Sequence, residues 1–144
     1  MKRLLPLLTA LLLCGPVSAQ ISTADFEALR ALYAATGGAD WTNNTGWDFK
    51  NATADDVKPY NAQEGTGWFG INEIRKGRVS KLELPANGLT GELPEAIYAL
   101  DGMRTLNLSG NGLTGTVPAA LESLPRLKYL RLEKNAFTGA VPRK

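Results

Sequence analysis

A segment of 24 residues recurs in the carboxyl-terminal half of the chain, and it limits the fold more than any other feature of the sequence. Two complete copies occupy 79–102 and 103–126, and an incomplete third occupies 127–144. The copies share residue types at constant offsets: Leu82, Leu106 and Leu130; Asn87, Asn111 and Asn135; Gly91, Gly115 and Gly139. A repeat of this length predicts a coil of similar turns, because one copy is too short to bury its own apolar side and must stack on its neighbours.

Each copy contains a short run in which apolar and polar residues alternate. In the first copy, Leu82 and Leu84 flank Glu83, so the leucines face one side of a strand and the glutamate faces the other. Equivalent strands then stack into a parallel sheet, and the asparagine of the following bend satisfies backbone groups that the apolar interior separates from water. Gly91 and Pro94 turn the chain over the back of the coil. The expected structure is a right-handed solenoid.

The Leu-Thr-Gly-x-x-Pro sequence at 89–94 returns at 113–118, and it resembles the plant-type, extracellular subclass of leucine-rich repeat proteins. The resemblance implies an α/β fold in which parallel strands line the concave face of a short right-handed solenoid, with a helical cap at its amino-terminal end. In that family the concave face is the usual site for peptides, proteins or glycans. The outward positions of the strands are therefore the candidate ligand-binding residues: Lys81, Glu83, Thr105, Asn107, Ser109, Tyr129, Arg131 and Glu133.

Residues 20–78 precede the repeats and are expected to form that cap. Ser22 and Asp25 predict a helix start, apolar residues at 26, 29, 32 and 33 give it one buried side, and Gly37 marks its end. This helix, the segment 41–47 with its two tryptophans and an expected strand at 68–71 resemble the amino-terminal cap of plant-type repeats, whose aromatic residues cover the first coil. Plant members usually hold this cap with a cysteine pair. Both positions differ here, which predicts a bacterial relative, and 49–67 is expected to be an inserted polar surface loop.

Residues 1–19 have the three parts of a secretory signal peptide. Lys2 and Arg3 are basic, 4–13 is an apolar run, and small residues lead to a predicted cleavage site after Ala19. The apolar run is shorter than the ~20 residues that cross a bilayer, so no membrane span is expected. Cys14 is the only cysteine, so the mature chain would contain no disulfide. The protein is expected to be secreted, periplasmic or bound at the cell surface.

Composition removes several classes of function. The chain has no histidine, which excludes Ser-His-Asp and Cys-His nucleophile systems and imidazole metal sites. Lys2 and Arg3 account for the whole formal charge of +2, so the mature chain is neutral and no nucleic-acid partner is expected. The charges are nevertheless distributed unevenly, with acidic residues in excess over 20–74 and basic residues in excess over 124–144.

Two motifs match cofactor or metal patterns without the context that these sites need. The segment 65–70 has the spacing Gly-x-Gly-x-x-Gly, but an aromatic strand is expected after it, where a dinucleotide site requires a helix. The segment 40–48 is rich in oxygen ligands, but Thr45 stands where a calcium loop needs glycine, and no glutamate closes the loop. We therefore expect no cofactor and no metal.

The leading functional prediction is an exported, non-enzymatic leucine-rich repeat module that binds a protein, peptide or glycan through the concave face. One alternative, drawn from plant-type relatives, is an inhibitor or accessory factor of secreted polysaccharide-degrading enzymes. A weaker alternative is a glycoside-acting enzyme that uses Asp55 and Asp56, which would require the two carboxylates to face each other across a cleft.

The third copy carries no recognisable capping segment at its end. Its inward residues are therefore expected to be partly exposed, and self-association through this end of the solenoid is a further expectation. These residues are Leu130, Leu132, Phe137 and Val141.

Overall fold

A helix and a coil of repeats share one continuous apolar core in the computed structural model, which describes residues 21–139. The predicted signal peptide and Val141 lie outside the described residues. The helix α1 spans Thr23–Ala35. Among residues 21–139, no helix has the length and apolar character that a membrane crossing requires.

Helix α1 begins and ends where the sequence predicts. The hydroxyl of Ser22 accepts a hydrogen bond from the backbone N–H of Asp25 and so caps the first turn. At the other end, the backbone N–H of Thr36 donates to the carbonyl of Leu32, and Gly37 follows with a φ of 71°. A glycine in the left-handed region lets the chain leave the helix without the steric cost that a Cβ would bring.

Six strands follow in the described part of the chain: β1 (Ile71–Arg75), β2 (Arg78–Glu83), β3 (Thr90–Glu92), β4 (Thr105–Asn107), β5 (Gly112–Thr114) and β6 (Tyr129–Arg131). β1, β2, β4 and β6 form one sheet in that order, in which β1 is antiparallel to β2 and the other pairs are parallel. Leu82, Leu106 and Leu130 lie directly opposite one another. Residues 24 positions apart in the sequence are therefore neighbours across the sheet. The predicted solenoid is confirmed.

A second, parallel sheet joins β3 and β5 on the other side of the coil. Short 3-10 helices complete the turns over Glu95–Ala99 and Ala119–Ser123, and two more lie in the cap at Gly38–Asp40 and Ala54–Asp56. The cap is hydrogen-bonded directly to the second sheet, because the N–H of Thr90 in β3 donates to the carbonyl of Thr36 at 3.1 Å. This second sheet is not predicted by the repeat pattern.

The repeated asparagines form a structural ladder, as predicted. The side-chain amide of Asn111 donates to the carbonyls of Leu84 and Leu108, at 3.0 and 2.9 Å. Its oxygen accepts from the N–H groups of Asn87 and Leu89. One side chain therefore satisfies backbone groups of two successive coils that lie against an apolar core.

The ladder continues into the cap. The side-chain oxygen of Asn87 accepts from the backbone N–H of Asn43 at 2.9 Å. The side-chain amide of Asn87 donates to the backbone carbonyl of Asn43 at 3.0 Å. Beyond this joint, Trp41, Trp47 and Trp68 are at most 5% exposed and lie in the same core as the repeat leucines. The aromatic cap predicted from the resemblance is thus present.

One expectation for the cap was wrong, and a second holds only in part. The strand expected at 68–71 begins only at Ile71, because Gly70 bends the backbone with a φ of 92° while packing closely against Leu84. The segment 49–67 is not a surface loop throughout. Phe49 packs edge-on against Phe26 and Trp68, with ring centroids 5.3 Å apart in both pairs, and Val57 is fully buried. The inserted segment therefore contributes to the core of the cap.

The expected exposure of the third repeat was wrong for two of its leucines. Leu130 and Leu132 are only 5% and 3% exposed. They face the second repeat, and the bend that follows them is hydrogen-bonded to it, from the N–H of Ala136 to the carbonyl of Leu113 at 2.7 Å. Phe137 is half-buried, in line with the expectation.

Candidate ligand-binding face

The structure brings the eight predicted binding residues together along one side of the main sheet. Register pairs place Lys81, Thr105 and Tyr129 in one row across β2, β4 and β6. A second row contains Glu83, Asn107 and Arg131, and the remaining two residues, Ser109 and Glu133, follow the ends of β4 and β6. We refer to these eight residues as the strand face.

Alternation along each strand turns these side chains outward. Leu106 is completely buried between Thr105 and Asn107, which are both half-buried on the opposite side. Neighbouring strands lie about 4.8 Å apart, so three successive coils present a row of side chains roughly 10 Å wide. This arrangement suits an extended ligand that crosses several repeats.

Exposure increases along the strand face towards the third repeat. The residues on β2 and β4 are half-buried, whereas those on β6 are exposed. Tyr129 is 63% exposed, more than any other large hydrophobic residue described. Tyrosine and arginine are the residue types that most often anchor protein interfaces, and here Tyr129 and Arg131 project from one strand.

Hydrogen bonds within the strand face hold several of its side chains in place. The oxygen of Asn107 accepts from the N–H and the hydroxyl of Ser109, at 3.0 and 2.7 Å. The guanidinium of Arg131 donates twice to one carboxylate oxygen of Glu133, at 2.9 and 2.6 Å. This bond from Arg131 is the main reason that the pKa of Glu133 is lowered. The pair is ionised and mutually neutralised at neutral pH.

Strand β1 adds a residue that sequence reasoning missed. The side-chain amide of Asn72 donates to the carboxylate of Glu83 at 2.9 Å, so the strand face extends onto the antiparallel edge strand. The sequence carries one sign of this strand, the Lys76-Gly77 pair, which forms a two-residue hairpin turn with φ values of 51° and 76°. Asn-Gly is the usual pair in such turns, and lysine in this position is much less typical.

The carboxylates considered for hydrolysis have a different arrangement. One oxygen of Asp56 accepts from the N–H and the hydroxyl of Thr53, at 2.8 and 3.0 Å, and thereby caps the short 3-10 helix Ala54–Asp56. These two bonds lower the pKa of Asp56. Asp55 and Asp56 are consecutive in this single turn, so they do not face each other across a cleft. The Gly65–Gly70 segment leads into strand β1 and not into a helix.

Comparisons with known proteins agree with this geometry. The sequence profile of the family described as Leucine rich repeat matches residues 77–137. No curated protein matches the chain. Among solved structures, the complex of BIR3 and SERK2 from Arabidopsis thaliana is similar at 26% identity with a TM-score of 0.63, covering 82% of this chain and 60% of that chain.

Two ectodomains from the same plant show a comparable likeness. The BIR2 ectodomain is 27% identical with a TM-score of 0.62, covering 86% of this chain and 60% of that chain. The leucine-rich repeat ectodomain of the receptor kinase SOBIR1 is 26% identical with a TM-score of 0.56, covering 87% of this chain and 61% of that chain. The chain thus spans about three fifths of the length of these structures. Its expected bacterial origin stays a prediction. Residues 77–137 belong to the leucine-rich repeat family, and the fold is similar to that of plant leucine-rich repeat ectodomains.

Proposed function

We propose that this chain is an exported, non-enzymatic module that binds a protein or peptide through the strand face. The observation that carries the proposal is the exposed Tyr129, which stands in register with Thr105 and beside Arg131 on the same strand. An exposed aromatic ring next to a guanidinium offers a partner both apolar area and charged donors.

The charge of the strand face supports a polar polypeptide partner. Lys81 and Arg131 are balanced by Glu83 and Glu133, and each carboxylate already accepts a hydrogen bond from a neighbouring side chain. Such a neutral and preordered surface needs little rearrangement when it binds. One similar structure is a complex of two proteins, BIR3 and SERK2, which favours a protein among the expected ligands.

Export is part of the proposal. It is supported by the signal-peptide pattern in residues 1–19 and by the likeness to ectodomains. It is also consistent with a repeat domain that contains no cysteine and therefore does not depend on the redox state of its compartment.

The test is capture of a partner from the native extracellular medium or envelope, followed by measurement of its affinity for the purified chain. The double variant Tyr129→Ala/Arg131→Ala should weaken binding about a hundredfold, because it removes two interface anchors. The control Tyr98→Ala/Lys50→Ala removes an exposed tyrosine and a cation outside the strand face, and it should leave the affinity unchanged.

Equal affinities of the wild type and the Tyr129→Ala/Arg131→Ala variant would exclude the strand face as the site. Capture of a glycan without any protein would contradict the proposed protein or peptide partner. If the captured protein is a polysaccharide-degrading enzyme that loses activity when bound, the chain acts as an inhibitor of that enzyme.

A further inference from the structure

A basic cleft lies beside the strand face, at the amino-terminal ends of β2 and β4, and the proposed function does not use it. Its volume is about 430 Å³. The tip of the β1–β2 hairpin forms one side, and the chain before β4 and before β6 forms the other. The charged residues that line it are Arg75, Lys76, Arg78, Asp101, Arg104 and Arg126. We call this set the amino-end cleft.

Most of the positive charge in the amino-end cleft lacks a partner. Arg78 is neutralised, since its guanidinium pairs with Asp25 and Asp101, at 2.6 Å in both cases. Arg75 has only a longer contact, 3.8 Å from the carboxylate of Glu73. Within residues 21–139, no carboxylate forms an ion pair with Lys76, Arg104 or Arg126.

The backbone holds these charges in place although their arrangement is unfavourable. Arg75 and Arg78 are directly opposite each other in the β1–β2 hairpin, and like charges at such positions repel. Lys76 lies in the turn with a φ of 51°, a left-handed conformation that costs a residue with a Cβ about 1 kcal/mol or more. The cleft therefore concentrates cations at a cost to the free energy of folding.

The repeats themselves keep the cations side by side. The N–H of Arg104 donates to the carbonyl of Ser80 at 2.8 Å, and the N–H of Lys128 donates to the carbonyl of Arg104 at 2.9 Å. Arg126 occupies the repeat position of Arg78, two copies later. Arg104 and Lys128 therefore lie one strand spacing apart, about 4.8 Å, and Arg78 and Arg126 lie about two spacings apart along the same edge.

We propose that the amino-end cleft is an anion-binding site that receives the carboxylates of an acidic peptide segment. Guanidinium groups bind carboxylates through two parallel hydrogen bonds, and most of the cations here are arginines. Arg104 immediately precedes β4, so a polypeptide in the cleft can continue over Thr105 onto the strand face.

The lining of the amino-end cleft favours a peptide over an acidic glycan. Besides its charged residues, the cleft is lined by Gly102 and Pro125 alone, and no aromatic ring is among the lining residues. A pyranose ring would find no flat apolar surface to pack against. Aspartate and glutamate side chains, in contrast, can rotate independently to reach separate guanidinium groups.

The test measures binding of a fluorescein-labelled hexa-aspartate peptide to the purified chain by fluorescence anisotropy. The variant Arg104→Gln/Arg126→Gln removes two unpaired cations and should weaken binding at least tenfold, since each charge-assisted bond contributes substantially. The control Lys50→Gln/Lys58→Gln changes the net charge equally on the exposed surface of the cap and should change the affinity less than about twofold. Unchanged melting temperatures establish that both variants are folded.

Three results would overturn the proposal. If both double variants weaken binding equally, net charge and not the cleft attracts the peptide. If hexa-asparagine binds as tightly as hexa-aspartate, carboxylates are not recognised. If tetragalacturonate binds more tightly than hexa-aspartate and loses this affinity in Arg104→Gln/Arg126→Gln, the cleft is a glycan site. The substitutions leave Tyr129 and Arg131 intact, so these outcomes do not bear on the strand face.

Discussion

Asp25 and Arg78 are 53 residues apart in the sequence, and they form an ion pair that joins the cap helix to the first repeat strand. The guanidinium donates to one oxygen of the fully buried Asp25 at 3.0 and 2.6 Å, and the N–H of Val79 donates to the other at 2.8 Å. Arg78 also donates to the carbonyl of Ala99 and pairs with Asp101. The bond to Asp25 is the main cause of the raised pKa of Arg78. One side chain thus links three segments.

Replacement of Asp25 by alanine should destabilise the protein by about 3 kcal/mol, because it leaves the N–H of Val79 unsatisfied and Arg78 without its buried partner. The measurement is the free energy of unfolding in urea. Glu27→Ala is the matched control on the same helix. Glu27 pairs with Arg30 on the exposed surface, so its loss should cost well under about 1 kcal/mol. Equal losses in the two variants would show that the buried pair contributes nothing beyond a surface pair.

Asn111→Ala tests the asparagine ladder. The substitution removes the partners of the carbonyls of Leu84 and Leu108 and of two N–H groups in the adjoining coil. Since these groups lie against the core, we expect a loss of about 2–4 kcal/mol in the free energy of unfolding. Asn51→Ala, which removes an exposed bond to Asp48, should cost less than about 0.5 kcal/mol. A loss as small as this in Asn111→Ala would contradict the structural role of the ladder.

The repeat register could be predicted from the sequence because it depends on spacing alone. A constant offset of 24 residues places Thr105 opposite Lys81 and Tyr129 opposite Thr105, which fixes the strand face before any contact is known. The role of the inward asparagines could be predicted from the same constant offset, since a polar residue repeated beside an apolar strand must satisfy backbone groups. Local periodic information was sufficient for these elements.

Contacts between distant, non-repeated residues could not be predicted in this way. Asp25 resembles any acidic residue in the first turn of a helix, and nothing in the chain around it indicates Arg78. Val57 is the only branched aliphatic residue of 49–67, so its burial depends on the aromatic cap around it. The amino-end cleft was missed for a related reason: Lys76 and Arg126 are 50 residues apart, and they line one cleft because the β1–β2 hairpin places Lys76 at the edge to which the repeats bring Arg126.

The pKa of Asp56 is expected to lie below its ordinary value of 3.8, because the N–H and then the hydroxyl of Thr53 donate to its carboxylate. A lowered pKa means that the ionised carboxylate stabilises the folded state above pH 3.8, and that this contribution is lost as the pH falls through the folded pKa. Carboxyl NMR titration should show the lowered value in the wild type and a rise in Thr53→Val, which removes only the hydroxyl. Thr66→Val should leave the Asp56 titration unchanged. An Asp56 that titrates at 3.8 or above in the wild type would exclude the capping interaction.

Alanine substitutions at Gly91 and Gly65 distinguish the steric effect of the contact between cap and repeats from the cost of backbone strain. Both residues have positive φ, 78° and 67°, so alanine brings a similar conformational cost of about 1 kcal/mol to either position. A Cβ at Gly91 would lie 2.5 Å from the carbonyl oxygen of Ala35 at the end of α1, whereas a Cβ at Gly65 would meet nothing within 4 Å. Gly91→Ala should therefore lose at least about 1 kcal/mol more in the free energy of unfolding than Gly65→Ala, because helix and repeat must move apart. If the two variants unfold at the same urea concentration, the cap is not held against the first repeat at this point.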